Sequence, residues 1–239
     1  MAVSRPATGM PVTARIGAAV WLAGNAQFLI VQVIVGSAWP SGYSWAANNI
    51  SDLGNVHCQM WDDSRPRYVC SPLHALMNTS FVVQGVFLLA GLLLTGGACW
   101  GKGWLQGIAR TLLAIDAGGY VLVGLVPADL DENLHLLGAL LIMGAGNIGL
   151  LLAAFVPRSG LFRDLRTATL AIGLVAVAGA ALFFTQHDPG IGLGGTERVA
   201  VFTLEAWTLV MAVAVLRVRR RPHPGTGAPL TSAPATRPR

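Results

Sequence analysis

Charge is what this sequence has least of. Asp, Glu, Lys and Arg make up 11% of its 239 residues and apolar side chains 54%, against about 25% charged and 45–50% apolar in an average soluble domain. No charged residue stands within 16–51, 71–101 or 167–186. That pattern excludes a water-soluble globular domain, because each run is long enough to cross a bilayer, which takes about 20 helical residues. Alternation of apolar and polar positions is missing too. A transmembrane barrel needs segments of about ten residues of alternating polarity, so strands are not expected anywhere in the chain.

The motifs of familiar enzyme chemistry are also lacking. There is no HExxH, no serine in a nucleophile elbow, and the scattered histidines have no zinc-ligand spacing. Residues 96–103, GGACWGKG, follow a phosphate-binding loop as far as Lys102, then place Gly103 where Ser or Thr would hold magnesium. Residues 190–195, GIGLGG, spell a dinucleotide fingerprint with no strand before it, and read as a flexible outer loop. The 16 Lys and Arg form no basic domain, so the net charge of +5 does not indicate nucleic acid as a partner. The two halves show no repeat of the kind on which many transporters are built, which leaves transport as the third functional reading.

What is present is a set of six apolar blocks. Hydropathy places helices near 14–36, 72–96, 104–126, 133–156, 167–186 and 199–216. The expected fold is all-α: a polytopic membrane protein with a six-transmembrane-helix bundle over 14–217 and an ordered outer loop over 37–71. A short cytoplasmic segment, 1–13, precedes it, and the first helix reads as uncleaved because its apolar stretch is too long for a signal peptide and lacks a small-residue cleavage site. Residues 218–239 are basic and rich in Pro, Thr, Ala and Gly, and are expected to form a disordered cytoplasmic tail.

Basic residues set the expected orientation. With both termini in the cytoplasm, all of the 16 Lys and Arg except Arg65, Arg67 and Arg198 lie inside. Most of the acids, namely Asp52, Asp62, Asp63, Asp129, Asp131, Glu132, Asp188 and Glu197, lie outside. The reading is a multi-pass protein of the plasma (inner) membrane. The outer loop holds Trp39, Tyr43, Trp45, Trp61 and Tyr68, suited to the headgroup region or to a lid on the bundle. Cys58 and Cys70 share that loop, and a disulfide between them is the preferred reading. Two free thiols are the alternative, and His57 beside one cysteine is too little for a metal. Cys99, at the cytoplasmic side, is expected to stay reduced.

Two carboxylates fall where a bilayer-spanning helix ordinarily has none: Asp116, near the middle of the third helix, and Glu205, six residues and about 9 Å into the sixth. They are expected to share an interior cavity open toward the outer leaflet. At the outer mouth are expected His74 and Asn78, at i and i+4 on one helix face, with His135, Asp52, Asp129, Glu197, Arg198 and Glu205. Acids and imidazoles gathered over an apolar cavity suit proton transfer or metal binding. The plainer roles are interfacial anchors for the histidines, a turn cap for Asp52, an ion pair for Glu197 with Arg198, and interhelical hydrogen bonds for Asn25, Gln27, Gln84 and Asn147.

The stretches Asn49-Ile50-Ser51-Asp52-Leu53-Gly54-Asn55 and Val69-Cys70-Ser71-Pro72-Leu73-His74-Ala75-Leu76-Met77-Asn78 resemble a bacterial membrane-protein family catalogued as domain of unknown function 998. Val123-Gly124-Leu125-Val126-Pro127 followed by Leu134-His135-Leu136-Leu137-Gly138-Ala139, and Gly195-Thr196-Glu197-Arg198-Val199-Ala200, resemble its later patterns. The resemblance spans about residues 15–215. It implies a six-helix bundle with Asp52, His74, Asn78, His135, Glu197 and Arg198 at the outer mouth, and it brings no reaction.

The leading functional expectation is a membrane-embedded enzyme acting on a lipid or isoprenoid-like substrate by acid/base chemistry. In a cyclase-like version Asp116 or Glu205 protonates the substrate, and Tyr120 and Trp207 help to line the pocket and steady a cation. In a metal-assisted hydrolase version His74, His135 and Asp52 serve the reaction. Non-enzymatic lipid binding or sensing is the competing class, with Asn78, Asp129, Glu197 and Arg198 recognising a headgroup. The expected partners are membrane lipids or a hydrophobic small molecule; the sequence names no cofactor and no particular metal.

Overall fold

A computed structural model of the chain describes residues 9–61, 65–156 and 165–218. Most of the N-terminal segment, the tail from 219 onward, Asp62, Asp63, Arg158 and Arg163 lie outside those residues. Six helices are long and apolar enough to cross a membrane: α1 Val12–Ser37, α2 His74–Trp100, α3 Trp104–Leu125, α4 Glu132–Ala153, α5 Arg166–Phe184 and α6 Leu193–Arg217. In lipid every backbone N–H and C=O must find its partner inside the protein, which continuous helices provide. The chain is a multi-pass integral membrane protein with an all-α bundle.

Each helix packs on its neighbours in chain order, and α6 closes the ring against α1. Short turns join α2 to α3 and α3 to α4, so those neighbours are antiparallel. The α2–α3 turn explains the glycines of the failed phosphate-loop spelling. Gly96, Gly101 and Gly103 have positive φ values of 22°, 69° and 129°, a backbone that other residues adopt only with strain. The interior is filled by rings rather than left as a pore: Trp100, Trp207 and Trp21 follow one another at centroid spacings of 5.7 and 6.2 Å. Phe28 meets Phe81 at 5.4 Å and Tyr120 at 5.6 Å. Without a hydrophobic drive between helices in lipid, such close packing holds the bundle together. Interhelical amides add to it: Asn147 Nδ2 donates to the carbonyls of Ala176 on α5 and Ala200 on α6 at 3.1 and 3.0 Å, and Gln27 and Ser80 bond reciprocally between α1 and α2.

Three features depart from the expectation. Strands do occur: Gln59–Trp61 (β1) and Arg67–Val69 (β2) pair antiparallel, with Gln59 opposite Val69 and Trp61 opposite Arg67. Three-residue strands are too short to show an alternating pattern, and the pair is clamped at its base, where the sulfurs of Cys58 and Cys70 are at disulfide distance. Second, α6 begins at Leu193 rather than near 199, so Leu193, Gly194 and Gly195 of the GIGLGG stretch are its first turn instead of a flexible loop. Third, α4 widens into a π-helix over Leu141–Gly146, which leaves no trace in hydropathy. Cys99 is buried and takes no part in a disulfide.

Candidate functional site

At the end of the bundle bearing the 38–73 loop lie most of the residues expected at the mouth, Glu205 excepted, and several of them hold the loop down. Arg198, in the second turn of α6, donates through Nη1 to the carbonyls of Trp45, Asn48 and Gly194 at 2.7, 2.9 and 2.7 Å, and through Nη2 to the Tyr43 hydroxyl. Its guanidinium also lies over the rings of Trp45 and Tyr43, 4.7 and 5.4 Å from their centroids. Tyr43 in turn donates to the carbonyl of Asn49 at 2.7 Å. Burial pushes the Tyr43 phenol well above its ordinary pKa, an effect that the Arg198 charge partly offsets. Glu197 accepts the Ile50 N–H at 2.6 Å.

Asp52 is held by a two-pronged pair with Arg67 at 2.6 and 2.7 Å, and accepts the Asn49 N–H at 3.0 Å. The loop backbone reaches α6 because Gly192 and Gly194 have no side chain. A Cβ on Gly192 would collide with the Ala46 carbonyl and one on Gly194 with that of Asn48. Instead Ala46 O accepts the Gly194 N–H at 2.9 Å, satisfying a donor that the start of a helix leaves open.

The remaining mouth residues also bind backbone. Asp129, in the α3–α4 turn, accepts the N–H groups of Val56 and His57 at 3.1 and 2.7 Å and faces His57 Nδ1 at 3.0 Å. Asn78 donates to Gly54 O at 2.9 Å. His74 Nδ1 is 3.0 Å from Ser71 O, and His135 Nδ1 is 2.7 Å from Val126 O. Among the described residues no three His, Cys, Asp or Glu side chains gather as a metal-binding group, so His74, His135 and Asp52 do not converge as the hydrolase reading requires. Sequence reasoning missed Tyr43, Arg65 and Arg67 as parts of this latch. Their signal was visible: Arg65, Arg67 and Arg198 are the basic residues that break the charge bias. Arg65 too is engaged, with Ala47 O and, at 2.9 Å, with Asn49 Oδ1.

A second polar cluster lies in the middle of the bundle. Because α6 starts at Leu193, Glu205 is about 18 Å along its axis rather than 9 Å. It is 4% exposed. Its Oε1 accepts from the Tyr120 hydroxyl at 3.2 Å and from Gln84 Nε2 at 3.5 Å, while Oε2 has no partner. Asn25 donates to the Glu205 carbonyl at 2.9 Å and to Thr208 Oγ1 at 3.0 Å, and accepts from Gln84 at 3.3 Å. Thus α1, α2, α3 and α6 are tied together at one level. A groove of about 230 Å³ reaches this level from the side, between α1 and α6, lined by Asn25, Leu29, Phe202, Glu205, Ala206 and Leu209. Leu29 and Leu209 on its walls are 43% and 46% exposed.

Asp116, one turn along α3 from Tyr120, is also buried, with Oδ1 unpartnered. It lines a different cavity of about 10 Å³, with Trp21, Leu113, Leu204, Trp207 and Thr208 among its neighbours. Asp116 and Glu205 thus line different spaces here, as helical geometry allows: Leu204 and Glu205 are consecutive and point about 100° apart. The Asp116 carboxyl fits because Gly146, the last residue of the π segment, has no Cβ; one added there would be 2.6 Å from Oδ1. Trp207 sits on the Asp116 side and donates from Nε1 to Thr169 Oγ1 at 3.1 Å. A third cavity of about 30 Å³, bordered by Ser51, Tyr120, His135 and Glu197, lies between the latch and Tyr120.

Neither a curated protein nor a solved structure matches this chain. The family described as "Protein of unknown function (DUF998)" matches residues 22–214, a stretch that contains the latch, the lateral groove and five of the six helices almost entire. With that coverage and the motif residues gathered at one end of a six-helix bundle, the chain belongs to this family.

Proposed function

We propose that this protein is a membrane-embedded enzyme that acts on a lipid-soluble, isoprenoid-like molecule by proton transfer at Glu205, reached sideways from the bilayer. The observation that carries the reading is the state of that carboxyl: buried, with one oxygen partnered and the other without a partner, on a groove whose walls face outward from the bundle. Uncompensated carboxylates at this depth are costly, so those that persist usually serve a function.

Acid catalysis fits the arrangement. The protonated acid gives its proton from Oε2 to the substrate, and the Tyr120 and Gln84 donors on Oε1 steady the carboxylate left behind. Proton loss from the product returns the acid to its starting state. Mouth residues keep a positioning role, because the latch anchors Ile50 and Ser51 above Tyr120. The natural setting for this chemistry is a bacterial plasma membrane, with both termini in the cytoplasm and the disulfide loop outside.

Full-length protein in lipid nanodiscs, incubated with a lipid extract of its own host membrane, tests the reading by mass spectrometry. Glu205→Gln keeps the shape and loses the acid, so conversion of a lipid by the wild type should fall by about 10²–10⁴-fold. Identical lipid profiles from two folded proteins overturn the enzyme reading and support the binding protein instead. That second reading has an observation of its own: the mouth acids are all engaged in holding backbone, so none of them stands ready as a partner for Glu205.

A further inference from the structure

We infer that the molecule admitted to the Glu205 groove is a long-chain or isoprenoid alcohol that carries no phosphate. The inference rests on the reading of the groove as a ligand site, and not on whether a bond is changed there. Of the two polar side chains lining the groove, Asn25 is fully engaged: Nδ2 donates to the Glu205 carbonyl and to Thr208, and Oδ1 accepts from Gln84. The buried position left without a partner is Glu205 Oε2, on the other residue that lines the groove. A hydroxyl both donates and accepts, so it pairs with that oxygen whether the carboxyl is ionised or protonated, whereas an ester or ketone can only accept and an ammonium can only donate.

Charge narrows the class further. No Lys, Arg or His lines the groove, and it opens at the middle of α6, far from the helix start that could hold an anion. A phosphate or diphosphate would face a carboxyl with no cation to offset it, at a depth where any charge is costly. Size points the same way. About 230 Å³ is less than the roughly 300–1,000 Å³ that encloses a drug-sized ligand, so the groove takes a small head and the first part of its chain. The remainder lies in the bilayer between the exposed Leu29 and Leu209.

The test uses the full chain in nanodiscs with three photoreactive probes that share one diazirine-bearing chain: the alcohol, the primary amine and the phosphatidic acid. After illumination, peptide mapping should find the alcohol on the segments around Leu29 and Leu209, at least about tenfold above the phosphatidic acid and above the amine. Glu205→Leu should remove that labelling, while Glu205→Gln, whose amide oxygen still accepts, should keep most of it. Leu29→Trp fills the groove from an exposed position without touching the interior, and should block labelling even if the Glu205 variants fold poorly. Equal labelling by the phosphatidic acid or the amine overturns the inference, as does alcohol labelling indifferent to Leu29→Trp. Loss of turnover sensitivity with alcohol labelling intact removes the enzyme and keeps this inference. Labelling that fails beside a Glu205-dependent conversion does the reverse.

Discussion

Arg198 contacts three backbone carbonyls, a phenol and two aromatic faces at once. A lysine cannot reproduce that fork, because its single ammonium is compact and stacks poorly. Arg198→Lys should therefore cost about 2–3 kcal/mol, the scale of losing hydrogen bonds from a charged group, read as a shift in the midpoint of SDS unfolding. A shift no larger than that of a lipid-facing substitution would show that the latch contributes little. Tyr43 supplies a pH test. Its phenol is raised above 10.0 in the folded protein, so its contribution to stability is complete below that pH and declines as pH rises beyond it. The wild-type midpoint should hold up to about pH 10 and then fall, and Tyr43→Phe should lose that part of the decline. An identical alkaline fall in both proteins would count against it.

At the scale of single elements, the hairpin β1–β2 has few hydrogen bonds of its own, and its ends are tied by Cys58 and Cys70, 12 residues apart. Closing a loop of that length stabilises it by about 3 kcal/mol in the chain-entropy model. Peptide mapping without reductant should recover the two cysteines cross-linked. Reduction should speed hydrogen exchange across 59–69 while leaving α2 to α6 protected, and uniform exchange throughout the protein would contradict a local role. The early start of α6 shows why hydropathy placed that helix late. Gly194, Gly195, Glu197 and Arg198 lower the apolar average, yet most of their polar groups are satisfied by the loop folded over them. The π segment of α4 was invisible for a different reason. Its residues, Leu141–Gly146, suit an α-helix equally well, and at its end the Asp116 carboxyl packs against Gly146.

The whole molecule is a ring of six helices with one tied loop, and its orientation is open to direct measurement. All the basic residues near the end opposite the loop, Arg15, Lys102, Arg110, Arg166 and Arg217 among them, are expected on the cytoplasmic side. A reporter fused after Arg221 should be active only in the cytoplasm, and activity outside would invert the proposed topology. At the end bearing the loop, Arg65, Arg67 and Arg198 are bound to backbone carbonyls, Asn49 or Asp52, so they act as structural ties and weigh little as topological signals.

The sequence by itself determined the class of the protein and most of its architecture. Twenty-residue apolar runs have one stable form in lipid, so the number of helices, their approximate ends and the residues gathered at the mouth were all readable. The disulfide pairing was readable as well, since two cysteines shared one short loop. Only the tertiary structure decided what those residues do. Whether Asp52 is a free acid or the partner of Arg67, and whether Glu197 faces a ligand or the Ile50 N–H, depends on loop backbone that no periodicity places. The same holds for Asp116 and Glu205. Hydropathy puts both in the membrane, but the direction in which each projects, one toward a small cavity beside Trp207 and one toward a lateral groove, is set by how six helices are rotated against one another.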